Sequence, residues 1–208
     1  MGVSGGIDSL ALVFLLQKYK EIYHQIWEIK ACHIDTGFPG WDPSVLAEFL
    51  KVRGIECIAV KTSIYRKIRS VDDKCFSCSR YRRRKIVEIA EELNISNIAL
   101  AHHQEDAVET ILLNMFYAGR TSTLLPRQAI VHGRFAFVRP LYYLNKTIIL
   151  KIAQAFGLKG YKNVCPFYKD SRRELIRNLL ERVKKNNPDV YSNIFHSIFN
   201  IKKQYMPS

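Results

Sequence analysis

Apolar runs of strand length alternate with segments of helical period from the N-terminus to Tyr117, and this alternation confines the chain to a parallel α/β sheet with helices on both faces. Leu10, Leu12, Val13, Leu15, Leu16 and Tyr19 recur at helical spacing, and Asp8 and Ser9 can cap a helix running to about Lys20. Trp27 to Asp35 reads as a strand with polar residues at its end, followed by a turn rich in Gly and Pro from Gly37 to Pro43. Val45, Leu46, Phe49 and Leu50 mark a second helix, and Ile55 to Val60 a short buried strand. Arg80 to Leu93 then predicts a helix, Ile98 to Ala101 a strand, and Glu105 to Tyr117 a helix. Ligands are expected at the carboxyl ends of such strands. Only three residues precede Ser4, so the first strand looks cut short, as though residues were missing ahead of it.

Beyond Tyr143 the pattern turns helical, over Lys146 to Phe156, Ser171 to Lys185 and Pro188 to Lys203. Residues 1–144 therefore read as an α/β core and 145–208 as a C-terminal helical extension of one domain, without repeats or low-complexity linkers. A hydrophobic content of 48% suffices for a core. The 32 Lys and Arg against 19 Asp and Glu leave a formal charge of +13, which favours a polyanionic partner such as nucleic acid. No apolar stretch is long enough to span a bilayer, and Leu10 to Leu16 has no basic segment before it, unlike a signal peptide. A cytoplasmic location without membrane contact is expected. Five cysteines, two of them in a Cys-x-x-Cys pair, point to metal or redox chemistry rather than a disulfide framework.

Ser4-Gly5-Gly6-Ile7-Asp8-Ser9 sits at a helix N-terminus. Gly5 and Gly6 carry no side chains, so backbone N–H groups can turn toward phosphate oxygens while the helix aims its positive end at the same place. Ser4 and Ser9 add hydroxyl donors. A bare Gly-Gly before a helix is a common turn, but the whole string resembles the pyrophosphate-binding loop of the PP-loop ATP pyrophosphatases. That resemblance implies a Rossmann-like, adenine nucleotide α hydrolase-like fold and cleavage of ATP between the α and β phosphates, with adenylation of a substrate oxygen. The string lacks the Lys that kinase and GTPase phosphate loops carry.

Cys75-Phe76-Ser77-Cys78 spaces two sulfurs to ligate one metal or cluster, directly before the Arg80 helix, whose N-terminus favours thiolates. A third thiol, Cys165, lies in Asn163-Val164-Cys165-Pro166. A zinc site completed by a histidine, or a redox pair with an unrelated third Cys, fits the same residues. Cys32 and Cys57 sit in apolar strand patterns as small core residues. Asp35 ends its strand at the rim where ligands bind, or serves as a strand-end turn residue. Asp106 and Glu109 suit Mg²⁺ against phosphates, or a helix first turn. His102 and His103 either position a reacting base or bind zinc, or are merely hydrogen-bonded.

Three further strings tighten the resemblance. Cys75 to Arg83, then Ala101-His102-His103-Gln104-Glu105-Asp106 with Glu109-Thr110, then Leu113 to Gly119, are similar to successive motifs of the tRNA 2-thiocytidine synthetases. Val138-Arg139-Pro140-Leu141 and Arg173-Glu174-Leu175-Ile176-Arg177 continue the match, which spans nearly the whole chain in order. The resemblance implies that Cys75, Cys78 and Cys165 bind a [4Fe–4S] cluster with one open iron able to carry sulfide. It also implies ATP held by Ser4, Gly5, Gly6, Asp8, Ser9, Asp35, Ala101 and His102, with Mg²⁺ on Asp106 and Glu109. Cys75, Cys78, Cys165, Asp106 and Arg82 become the catalytic set. Arg80, Arg82, Arg83, Arg84 and Lys85 face tRNA phosphates or the leaving pyrophosphate, with Lys184, Lys185, Lys202 and Lys203 extending the basic surface.

The implied reaction is ATP-dependent thiolation of an anticodon-loop cytidine to 2-thiocytidine. Its partners would be tRNA, ATP and a sulfur donor, either a cysteine desulfurase or sulfide, with a homodimer left open. Departures exist: Glu105 replaces the family's first Asp and Ala101 its Gly, and the family's C-terminal Cys-x-x-Cys is reduced to Cys165 with Lys162 at the other position. Two alternatives remain, a persulfide on Cys78 or Cys165 in place of the cluster, and a zinc-stabilised RNA-binding module with a vestigial ATP site.

Overall fold

In the computed structural model, which describes residues 1–205, Met1 to Val3 form the middle of the sheet. The Cys32 N–H donates to the Met1 carbonyl and the Val3 N–H to the Cys32 carbonyl, both at 2.8 Å, while on the other side the Gly2 N–H donates to Ala99 at 3.0 Å. Those bonds join two halves. One half is β1 (Ala31–Asp35) paired parallel to β2 (Cys57–Lys61), with Ala31 opposite Cys57 and Asp35 opposite Lys61. The other is β3 (Asn97–Ala99), parallel to β5 (Phe135–Val138), with β4 (Arg127–Ile130) antiparallel at its edge. The spatial order is β2, β1, Met1–Val3, β3, β5, β4.

Alternate residues of these strands feed two packed layers. On one side α1 (Ile7–Ile22), α2 (Pro43–Lys51) and α6 (Lys146–Ala155) bury Leu10, Leu12, Leu46, Leu50 and Ile149 with Val3 and Ala31. Each such aliphatic side chain contributes about 1.5–3 kcal/mol by leaving water. On the other side α3 (Ile64–Ile68) and α4 (Lys74–Glu92) cover Cys32, Ile34 and Ile98. A third cluster joins α5 (Gln104–Ala118) to α7 (Arg172–Lys184) and α8 (Val190–Ser197) through Ala107, Val108, Ile176, Leu180 and Phe195.

The sheet is α/β and Rossmann-like as expected, with several local differences. The β4–β5 hairpin was not anticipated, because its tip places Val131 at φ 50° and His132 at φ 52° where an Asn-Gly pair normally announces such a turn. Strand β2 is an edge strand with no fully buried residue, rather than a buried one. Helix α4 begins at Lys74, capped by the Asp73 side chain accepting from the Phe76 N–H at 3.0 Å, so Cys75 and Cys78 lie inside the helix and not before it. Helix α1 has Gly6 at its N-cap without a side-chain cap, so neither Asp8 nor Ser9 plays that part. Helix α6, the first beyond residue 144, packs against α1 through Ile149 and Ala153. Helix α8 stops at Ser197 because the N–H groups of Phe199 and Asn200 bond three residues back and tighten the chain. Of the C-terminal lysines, the Lys203 side chain lies outside the described residues. No helix among the described residues is long and apolar enough to cross a membrane.

Candidate active site

The turn from Ser4 to Ser9 runs off the middle strand straight into α1, and its two serines close it. Ser9 Oγ donates to the Gly6 carbonyl at 2.8 Å, which leaves its lone pairs to accept from the Ser4 N–H at 3.1 Å and the Ser4 hydroxyl at 3.2 Å. Gly5 holds φ 82°, where a Cβ would also meet the Trp41 ring at 3.2 Å. Braces hold the turn from outside. The Tyr161 N–H donates to the Gly5 carbonyl at 2.9 Å, and Gly160 lies so close that a Cβ would stand 2.9 Å from the Ile7 nitrogen.

Below the turn, His33 is a support that sequence reasoning missed. The Trp41 indole donates to His33 Nε2 at 2.9 Å, so the ring's proton sits on Nδ1 and donates to the Val3 carbonyl at 2.8 Å. Burial holds the His33 pKa below its ordinary value, with Arg82 adding to the effect. A histidine inside an otherwise apolar strand was the available signal.

Beside the turn lies a charged cluster. Asp8 Oδ1 pairs with the Lys146 ammonium, and His103 Nε2 stands 3.9 Å from Asp8 Oδ2. Glu105 spans two elements: one oxygen lies 2.9 Å from His103 Nδ1 and the other accepts the Lys146 N–H at 2.8 Å, at the start of α6. The longer acid at this position thus ties His103 to α6. Burial pulls the His103 pKa down, but its bond to Glu105 and the charges of Asp106 and Asp8 outweigh this and leave it raised. His102 goes the other way, lowered by burial and by the nearby Arg139, whose Nε donates to His102 Nδ1 at 3.3 Å.

The acids of α5 are paired with arginines of α7. Arg173 Nη1 lies 3.1 Å from Asp106 Oδ1 and 2.9 Å from Glu109 Oε2, and Arg177 Nε lies 2.9 Å from Glu109 Oε1. Glu109 is buried, and both its oxygens are paired with arginines of α7, so it staples α5 to α7. The second oxygen of Asp106 accepts the His103 N–H at 3.1 Å. Asp35 ends β1 as expected, where its carboxylate accepts the Gly37 N–H at 2.9 Å and shapes the turn. Ala101 packs against the core beside α1.

The three thiols are free: Cys75 is exposed, Cys78 buried and Cys165 half-buried. Burial raises the pKa of both Cys75 and Cys78. Arg82 pulls Cys78 back, Ser171 and Arg173 pull Cys75 back, and each of the two feels the charge of Cys165. Arg172 to Asp73, at 3.1 Å, fastens the start of α7 to the start of α4. Cys165 comes only four residues after Tyr161, a reach of at most about 14 Å from the residue that touches the phosphate turn. Cys165 is thereby tethered to the segment that braces the turn. Among the described residues no three His, Cys, Asp or Glu side chains are disposed to hold a single metal ion. One zinc keeps its thiolates within roughly 4 Å of each other, whereas a four-iron cube is a larger body. Cys75, Cys78 and Cys165 carry thiols that a cluster could take up, with Arg82 and Arg173 near the first two.

A glycine-serine turn between the central strand and first helix of a parallel sheet defines a nucleotide-binding α/β protein of the PP-loop class. The model of the PP-loop domain matches residues 1–184. Among curated relatives, the tRNA-cytidine(32) 2-sulfurtransferase of Coxiella burnetii is 34% identical over 206 residues, covering 96% of this chain and 80% of the relative. The protein of the same name from Syntrophotalea carbinolica is 29% identical, covering 99% and 82%. The chain belongs to the PP-loop family and, within it, to the tRNA-cytidine(32) 2-sulfurtransferases. Its fold is similar to that of the U34-tRNA thiolase NcsA from Methanococcus maripaludis, solved with its [4Fe–4S] cluster, at a TM-score of 0.73 and 21% identity, covering all of this chain and 72% of that one. The NH3-dependent NAD synthetase of Campylobacter jejuni shares the fold at a TM-score of 0.51 and 17% identity, covering all of this chain and 86% of that one.

Proposed function

We propose that this chain uses ATP to activate the C2 oxygen of a tRNA cytidine and replaces that oxygen with sulfur, giving 2-thiocytidine. The observation that supports the reading is the short span from Tyr161, hydrogen-bonded to Gly5, to Cys165, which tethers a thiol to the segment that braces the phosphate turn. The C2 oxygen attacks the α-phosphorus, the bond to the bridging oxygen breaks, and pyrophosphate leaves. Sulfide then adds at C2 and AMP departs with the former carbonyl oxygen.

The chain's own groups supply positioning and charge neutralisation. N–H groups of the Ser4–Ser9 turn and the N-terminus of α1 receive the pyrophosphate. Lys146, on Asp8, stands ready to exchange its carboxylate for a phosphate oxygen. Asp8 Oδ2 has no hydrogen-bond donor among the described residues, so Mg²⁺ bound chiefly by phosphates and water fits Asp8 better than Glu109. Arg82 bears electrostatically on both Cys78 and His33, lowering the pKa of each. A [4Fe–4S] cluster held by Cys75, Cys78 and Cys165 would supply an iron position for the incoming sulfur.

The test is anaerobic reconstitution with iron and sulfide, followed by incubation with ATP, Mg²⁺ and unmodified tRNA and nucleoside analysis. 2-Thiocytidine formed only with ATP is the expected result, and its absence from every tRNA pool removes the proposal. Active protein without iron or labile sulfide would transfer the sulfur role to a persulfide on Cys78 or Cys165.

A further inference from the structure

Helix α4 presents a second face beside its thiols. At 3.6 residues per turn, Cys75, Cys78 and Arg82 share one side, while Phe76, Arg80, Arg83 and Arg84 line a side centred about 150° round. Opposite this second side the β4–β5 hairpin brings up Ile130 and Val131, and a groove of about 590 Å³ lies between them. Two features of the groove make no sense as core packing. Phe76 is 58% exposed, and no aromatic ring stacks on it among the described residues. Val131 holds φ 50°, a conformation that branched side chains rarely adopt, and it too is exposed.

The groove's charge is cationic. Its two acids are already paired, Glu88 with Arg84 and Lys85 at 3.0 and 3.2 Å, and Glu91 with Arg134. Arg80 has no carboxylate partner among the described residues, and Arg83 donates only to the Ser79 carbonyl at 3.3 Å. An open ring flanked by uncommitted guanidiniums is complementary to single-stranded nucleic acid, which offers a base face and a phosphate together, whereas a duplex hides the base face.

We propose that this groove seats the single-stranded RNA next to the nucleotide being modified, with one base stacked on Phe76 and the adjoining phosphates on Arg80 and Arg83. The proposal rests on the tRNA-modifying reading above and deepens it. Phe76 follows Cys75 directly, so a strand stacked there offers its neighbouring nucleotide to the thiols.

The experiment titrates a short single-stranded RNA carrying 2-aminopurine with the 208-residue chain and reads fluorescence quenching and affinity together. Phe76→Ala is expected to lose the quench and weaken binding roughly ten-fold, and Phe76→Tyr to retain both. Arg80→Ala should keep the quench and lower the log–log salt slope by about 0.7. An unchanged quench in natively folded Phe76→Ala overturns the proposal, and so does full quenching and affinity in Phe76→Leu, which keeps apolar bulk without a π face. Neither ATP nor sulfur enters this assay. A wild-type chain that quenches but never thiolates tRNA therefore condemns the functional reading alone, and one that thiolates without Phe76-dependent quenching condemns the groove alone.

Discussion

The phosphate turn and the segments that carry the thiols are built differently. Six consecutive residues make the turn, and hydrogen bonds between Ser4, Gly6 and Ser9 close it from within, with Tyr161 bracing it from outside. The thiols come from α4 and from the segment ahead of α7, elements joined through Arg172 to Asp73 and through Arg173 and Arg177 to the acids of α5. A locally closed turn tolerates distant change, whereas a site assembled across the chain inherits the stability of every joint between its parts.

Substitutions can break that contrast, beginning with the largest effect. Cys78→Ala should abolish thiolation, by roughly a thousand-fold or more, while ATP affinity measured by equilibrium dialysis stays at the wild-type value; parallel loss of both would show that the regions are not separable. Glu109→Ala strands two guanidiniums. It should cost about 2–3 kcal/mol in urea unfolding, below the full loss for a buried pair because both arginines are partly exposed, and should lower thiolation more than ATP binding. Gly5→Ala acts on the other region: positive φ and the Trp41 ring together should cost about 1–2 kcal/mol of backbone strain. Its expected signature is weaker ATP binding with unchanged iron content after reconstitution.

The smallest effect is a pH dependence. His33 is neutral in the fold with a lowered pKa, so its contribution to stability is complete above the unfolded value of 6.5 and declines as pH falls from there toward the folded value. His33→Asn keeps a donor for Val3 and should flatten this acid limb in thermal melts. An equally steep limb in the variant would assign it to another group.

Features set by neighbouring residues were legible in the sequence, and those set by distant partners were not. The turn, α1 and α5 follow from short-range pattern, as does the placing of Asp35 at a strand end. Asp73, an N-cap residue three positions before Phe76, would have placed the start of α4 correctly had it been weighed above the run of arginines. No local pattern announces a hairpin tip made of Val131 and His132. Asp106 and Glu109 are as good a pair of metal ligands as of helix staples until Arg173 and Arg177 are seen against them.

The four-residue interval between Tyr161 and Cys165 has a consequence for substitutions. Gly5 and the third thiol hang from the same short cord, so a change that frees Gly5 from Tyr161 also loosens the anchorage of the segment carrying Cys165.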